Sequence, residues 1–334
     1  MSIDLHFLSD KYIKKEDIER DLYELGFEDI EGEENSYHWF SDKFLSTRGC
    51  HFSLKYDIKI ENLDTNESIT YPTICTTITY AGRSHDDFQM QFDVLQMLKH
   101  KYGGIITDFE DDEEIDGLDN GIPKLSSTEI ACGSTYSGFI NSMYIVQSLI
   151  EDCSENKTPY PFYSKPLLRN NTLIPFCVTV LENFLKTFLE RYLQTNDIAK
   201  QKIFKKRKGD TLPYYEVEKL LNGEKTIIDL ELERYSFQNF KSTNIAYKKF
   251  LDFDLYDVLG QKIIYQDDES ISLNQVLTEL IEMRHKIIHE AKLNDSLSKK
   301  VMEKYHFFLK KFGELFIEQI MKKHKLRLLI EKLL

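Results

Sequence analysis

Residue types that could do chemistry together converge in one segment, Ser272 to Ala291 (SLNQVLTELIEMRHKIIHEA). The S-x-x-Q spacing of Ser272 and Gln275 predicts a capping box, so a helix should begin at Ser272. Turned through about 100° per residue, that helix carries Val276, Leu277, Leu280, Ile281, Met283, Ile287 and Ile288 on one face, with Arg284 in the middle of it. A guanidinium facing a core is costly unless paired, so a carboxylate or a phosphate must meet it. His285 and His289 fall together on the adjoining rim, one turn apart, where they can be partly exposed. An imidazole can take or give a proton at neutral pH and a guanidinium can neutralise a developing anion.

The internal partner expected for Arg284 lies on the stretch Leu173 to Leu193. Val178, Leu181, Phe184, Leu185, Phe188, Leu189 and Tyr192 define an apolar helix face there, and Glu182 lands at its edge. A half-buried Glu would then face a half-buried Arg. Such a pair could also be purely structural, fixing how two helices dock.

Arg284-His285-Lys286-Ile287-Ile288-His289 has the R-[N/H/D]-x-x-x-H form of the motif of HEPN-domain ribonucleases. The chain resembles that family from about Ser137 to Leu334, most securely from Leu173. A long apolar helix bearing an acidic residue precedes the motif and another long helix follows it, in the family's order. The resemblance implies an all-α HEPN bundle that pairs as a homodimer with two motifs facing each other, and RNA as substrate. Cleavage would proceed without metal or cofactor, by attack of the ribose 2′-OH on the adjacent phosphorus, leaving a 2′,3′-cyclic phosphate. His289 would be the general acid/base and Arg284 the phosphate ligand, with His285 orienting or assisting and Glu182 holding Arg284. HEPN nucleases with extra N-terminal domains resemble bacterial toxins and antiviral abortive-infection proteins acting on RNA such as tRNA. The competing reading is a non-catalytic HEPN scaffold whose Arg284 and Glu182 are structural. His289 discriminates, because a scaffold has no use for an exposed histidine over a phosphate site. Residues 208–270 exceed a minimal HEPN domain and read as an insertion.

The elements that position these residues form the second of two expected domains, a number that 334 residues also suggest. Residues 1–123 alternate helix and strand patterns. Lys15 to Leu25 and Asp86 to Tyr102 read as amphipathic helices, and Ile105 to Phe109 as a strand. His51 to Ile60, with Phe52, Leu54, Tyr56, Ile58 and Ile60 on one face, and Ile69 to Tyr80 read as neighbouring strands joined through Asn62 to Asn66. The expected arrangement is an α+β domain, with the ferredoxin-like type as its candidate. Acidic, aperiodic residues 110–123 predict a linker. Residues 124–334 read as helical over Ser137 to Ile150, Leu173 to Leu193, Tyr214 to Leu221, Ala246 to Leu259, Leu273 to Ala291 and Lys299 to Leu333, with a β-like stretch at Thr226 to Leu232.

Charge divides the same way. Residues 1–150 hold 12 Lys+Arg against 29 Asp+Glu, a balance of −17, and residues 151–334 hold 31 against 27, a balance of +4; together they give −13. Only the second half can neutralise phosphates. Its basic runs, Lys200 to Lys208 with Lys205, Lys206, Arg207 and Lys208, and Lys322 to Arg327, are candidate RNA contacts or simply solvated helix ends. The acidic domain could sense, bind a protein partner or mimic RNA against those runs. Five cysteines without a CxxC pair argue against disulfides or zinc and for a reducing cytoplasm. No apolar run of about 18 residues and no signal-like N-terminus occur, so no membrane association is expected. The remaining histidines form no metal-binding pair, the acidic run has no EF-hand pattern, and no glycine motif suits a nucleotide.

Overall fold

Strands and helices alternate through the first part of the chain in the computed structural model, which describes residues 2–41, 45–61, 68–109, 115, 122–151, 165–205, 211–266 and 269–328. The chain divides into two units, Met1–Ser127 and Thr128–Leu334. In the first, β1 (Ile3–Ser9), α1 (Lys15–Glu24), β2 (Phe27–Asp29), β3 (Ser36–Trp39), β4 (Cys50–Glu61), β5 (Ser68–Thr79), α2 (His85–Tyr102) and β6 (Ile105–Thr107) follow in order. The strands form one antiparallel sheet ordered β2-β3-β4-β5-β1-β6.

One sheet face, with Phe7, Phe52 and Cys75, buries Ile18 and Leu22 of α1 and Leu95 and Leu98 of α2. The other carries His38 and His51, opposite each other across β3 and β4 with ring centroids 4.6 Å apart. The buried face of β4 is shorter than its alternation predicts, since Ile58 is 36% exposed. Sequence pattern also misses β1, where adjacent Phe7 and Leu8 are both buried and break the alternation of a half-buried strand. The connection at Asn62 to Asn66 lies outside the described residues, as does the acidic linker stretch except Ile122, Pro123 and Ile115, whose N–H donates to the Ile106 carbonyl at 2.9 Å.

Asp87 fixes the approach to β4. It is fully buried at the first turn of α2 and closes a capping box with Ser84. Its carboxylate also accepts from the backbone N–H groups of Thr47, Arg48 and Gly49 and from the hydroxyls of Ser46 and Thr47. Gly49 has φ +73°, and a Cβ there would overlap the Trp39 carbonyl oxygen, so only glycine lets the chain enter β4 beside β3.

The second unit is helical: α3 (Ser127–Glu151), α4 (Lys165–Thr195), α5 (Asp197–Gln201), α6 (Tyr214–Leu221), α7 (Ile227–Leu232), α8 (Phe240–Leu251) and α9 (Tyr256–Leu259), then a two-stranded ribbon β7 (Lys262–Tyr265) and β8 (Glu269–Ser272), then α10 (Leu273–His289) and α11 (Lys299–His324). The stretch expected to be β-like is α7, begun by a Thr226–Asp229 capping box. Local capping chemistry overrides the β-branched run of Thr226 to Ile228.

Helix α4 is the central core element. Its buried stripe from Leu173 to Leu193 meets α3, α8, α10 and α11, with Phe184 and Phe188 packed edge-on against Phe316 at ring separations of 5.3 and 5.1 Å. By length and composition α4 could cross a membrane; here most of its apolar residues are core, with Leu168 and Phe176 exposed. Gly313 of α11 has no Cβ because Phe139 of α3 occupies that space. Helix α11 stops at His324, where Lys325 turns left-handed with φ +53°, short of the predicted Leu333.

Candidate active site

Helix α10 begins at Ser272 as its sequence requires, without the expected capping box. The Ser272 hydroxyl donates instead to the Leu259 carbonyl at 3.3 Å, because β8 runs directly into the helix and turns that side chain toward α9. The register nevertheless matches the periodicity except at Ile288, which is 52% exposed near the end of the helix. Val276, Leu277, Leu280 and Met283 are buried, Arg284 is half-buried, and His285 and His289 are exposed.

Arg284 and Glu182 meet through a third residue. The Arg284 Nη1–H donates to Gln238 Oε1 at 2.7 Å, and the Gln238 Nε2–H donates to Glu182 Oε2 at 2.8 Å. The amide therefore has its oxygen toward the guanidinium and its NH2 toward the carboxylate, the orientation that satisfies both. Gln238 lies in the turn between α7 and α8, and its neighbours Phe237 and Phe240 are buried in the core. The Ser236 N–H bonds the Ser242 hydroxyl at 2.8 Å and Asn239 caps α8, so the turn has little freedom. Arg284 Nε is buried without a hydrogen-bond partner among the described residues, and a donor so placed calls for an acceptor oxygen.

The expected direct Glu182–Arg284 contact is thus a bridged one. Two half-buried charges at this spacing leave room for an amide. Gln238 belongs to the stretch read as an insertion, and no sequence signal short of a tertiary contact distinguishes it from other polar turn residues.

Gln238→Leu is expected to destabilise the helical unit by about 1–3 kcal/mol, because it strands two half-buried groups. Glu182→Gln, which keeps an acceptor for Gln238, is expected to cost about 1 kcal/mol, less than the loss of one partner from a direct buried pair. Thermal melts of the two variants compare them, and a larger loss in Glu182→Gln would contradict the bridged geometry.

His285 and His289 stand side by side, ring centroids 4.7 Å apart and planes 43° apart, and neither ring hydrogen-bonds another described residue. A cavity of about 320 Å³ opens on the adjoining face of α10, lined by Glu282, Lys286, Lys292 and Asn294 among others. The loop behind it is tied to α4. Asn171 accepts from the Asn294 N–H at 2.8 Å and donates to its carbonyl at 3.1 Å, and Asn170 donates to the Leu297 carbonyl at 2.6 Å. These two buried asparagines position the end of the site, and hydrophobic patterning passes over them.

The basic runs are partly structural. Lys202 donates to the Phe250 carbonyl at 2.8 Å and Lys323 to the Asp252 carbonyl, so both cap the C-terminal end of α8. The Arg327 backbone N–H donates to Glu129 at 2.6 Å. Lys205 is exposed, and Lys206, Arg207 and Lys208 lie outside the described residues. The cysteines offer no nucleophile among the described residues: Cys50, Cys75, Cys132 and Cys177 are buried, and burial pushes their thiols up, Cys177 to about 12. Cys153 is outside the described residues.

Compared with known proteins, the chain matches no family model, no curated protein and no solved structure.

Proposed function

We propose that the helical unit is a HEPN-type, metal-independent endoribonuclease acting as a homodimer, within a cytoplasmic toxin or antiviral effector that cleaves RNA such as tRNA. One observation carries this reading. The arginine of the R-H-x-x-x-H motif is held by a Gln238–Glu182 bridge, while its two histidines stand exposed on the same helix with no hydrogen bond to another described residue.

In this mechanism His289 removes the 2′-OH proton as the oxygen attacks phosphorus. The Arg284 guanidinium neutralises the phosphorane, and a second imidazole, His285 or one from the other copy, protonates the departing 5′ oxygen. Gln238 and Glu182 act as positioning residues. The order of long helices α3, α4, α10 and α11 around the motif supports the HEPN bundle.

The N-terminal unit supports the ferredoxin-like reading. With β2 and β3 set aside, β1-α1-β4 and β5-α2-β6 interleave in a sheet ordered β4-β5-β1-β6. This unit is proposed to sense, bind a partner or shield the basic surface. If it shields, a chain beginning at Ser126 binds RNA more tightly than the full chain at low salt, with the gap closing as salt screens over about 8–10 Å. Equal binding by the folded truncation would leave partner binding as its role.

The scaffold reading draws on the inward direction of Arg284. Incubating the purified chain with total RNA in EDTA, beside His289→Ala, separates the two.

A further inference from the structure

We propose that His285 and His289 form a bidentate binding site for a divalent transition-metal ion of the Zn²⁺, Ni²⁺ and Cu²⁺ class, and that an ion held there inhibits the cleavage chemistry. The binding stands on the geometry alone; the inhibition rests on the ribonuclease reading above.

The two residues make an H-x-x-x-H turn on a continuous helix, α10, so their side chains leave the same face one turn apart. Their rings are 4.7 Å apart between centroids. One ion bound to two imidazoles at about 2.0–2.1 Å needs their nitrogens roughly 3 Å apart, which rings at this separation reach by small side-chain rotations. No hydrogen bond to a described residue has to be broken first, and both rings are open to solvent.

The charged surroundings permit a cation. Arg284 gives its Nη1–H to Gln238. Exposed Lys286 stands between the histidines in sequence, while exposed Glu282 precedes His285 by one turn and Glu290 adjoins His289.

Imidazole nitrogen selects for the later first-row ions over Mg²⁺ and Ca²⁺, which prefer oxygen donors. Among the described residues no group of three or more His, Cys, Asp or Glu side chains is arranged around one ion. The site therefore supplies two ligands and water the rest, as expected of an exchangeable ion rather than a structural one. Affinity should follow Cu²⁺ above Ni²⁺ and Zn²⁺. Coordination occupies the nitrogen lone pair that must accept the 2′-OH proton, so a bound ion and proton transfer exclude each other.

The other histidine pair, His38 and His51 on the sheet, is less available. His38 Nε2 lies 3.3 Å from the Arg48 carbonyl, and its ring packs over Gly49. It provides the internal control.

The test is calorimetric titration of the EDTA-stripped, dialysed full chain with NiCl₂, comparing wild type, His285→Ala, His289→Ala and His38→Ala. The expected result is a saturable Ni²⁺ site that survives His38→Ala and weakens about tenfold or more in each of the α10 variants. Both α10 variants keep their helix by circular dichroism, since alanine favours helix at exposed positions. Ni²⁺ binding that is absent from wild type, or unchanged in both α10 variants, overturns the site. RNA cleavage unaffected by saturating Ni²⁺ overturns the inhibition. Binding through the pair in a protein that cuts no RNA leaves the site standing and removes the ribonuclease reading instead.

Discussion

In EDTA, the purified chain is expected to cut RNA into fragments ending in a 2′,3′-cyclic phosphate, and His289→Ala to do so about 10²–10⁴-fold more slowly, the usual worth of a positioned acid/base. The variant should remain folded and dimeric, because His289 is exposed, ends α10 and holds no hydrogen bond to a described residue. Arg284→Ala is expected to lose as much activity, through the phosphorane charge. It should also melt slightly earlier, since Gln238 loses a bond of 2.7 Å. Gel or mass-spectrometric readout of the RNA ends, with sedimentation for the dimer, checks both. Unchanged cleavage by His289→Ala would sink the enzyme reading, whereas activity that disappears in EDTA would keep RNA cleavage and discard the metal-free mechanism.

Asp87→Asn is expected to destabilise the N-terminal unit by about 3 kcal/mol or more. One carboxylate oxygen accepts from Ser46 Oγ and Gly49 N, and the other from Thr47 N, Thr47 Oγ1, Arg48 N and Ser84 N. Whichever oxygen becomes an NH2 then faces at least one backbone N–H, donor against donor, in a site with no exposure. Burial by itself would raise this carboxyl, but the hydrogen bonds from Ser46, Ser84, Arg48 and Thr47 outweigh it and hold Asp87 below the usual carboxylate range. A group depressed on folding stabilises above its unfolded value, near 4 for Asp, and that contribution is lost as pH falls through the lower folded value. Stability of the wild-type unit should therefore fall more steeply below about pH 4 than that of Asp87→Asn. Denaturant melts following Trp39, the single tryptophan of the chain, between pH 3 and 7 measure both effects. Parallel curves would show that this carboxylate is not the anchor of residues 46–49.

Apolar periodicity was enough to place α1, α2, α4, α10 and α11 and strands β4 and β5, because each buries one face against its own domain and the period of that face is written locally. The same periodicity put Arg284 on the inner side of α10 and the two histidines together on its rim, since helical register follows from spacing alone. Strand β1 escaped because both Phe7 and Leu8 are buried, and α7 because a capping box outweighed β-branched residues. The link between Arg284 and Glu182 was decided by tertiary structure. Gln238 is 46 residues from one partner and 56 from the other, on a turn fixed by Phe237 and Phe240 in a core that exists only once α4, α8 and α10 have packed. Asn170 and Asn171, which tie the loop after α10 from more than 120 residues away, are decided the same way. Hydrogen bonds between groups far apart in sequence have no period to betray them, so local periodicity marks most of the inward faces of these helices, and only the assembled core sets what those faces meet.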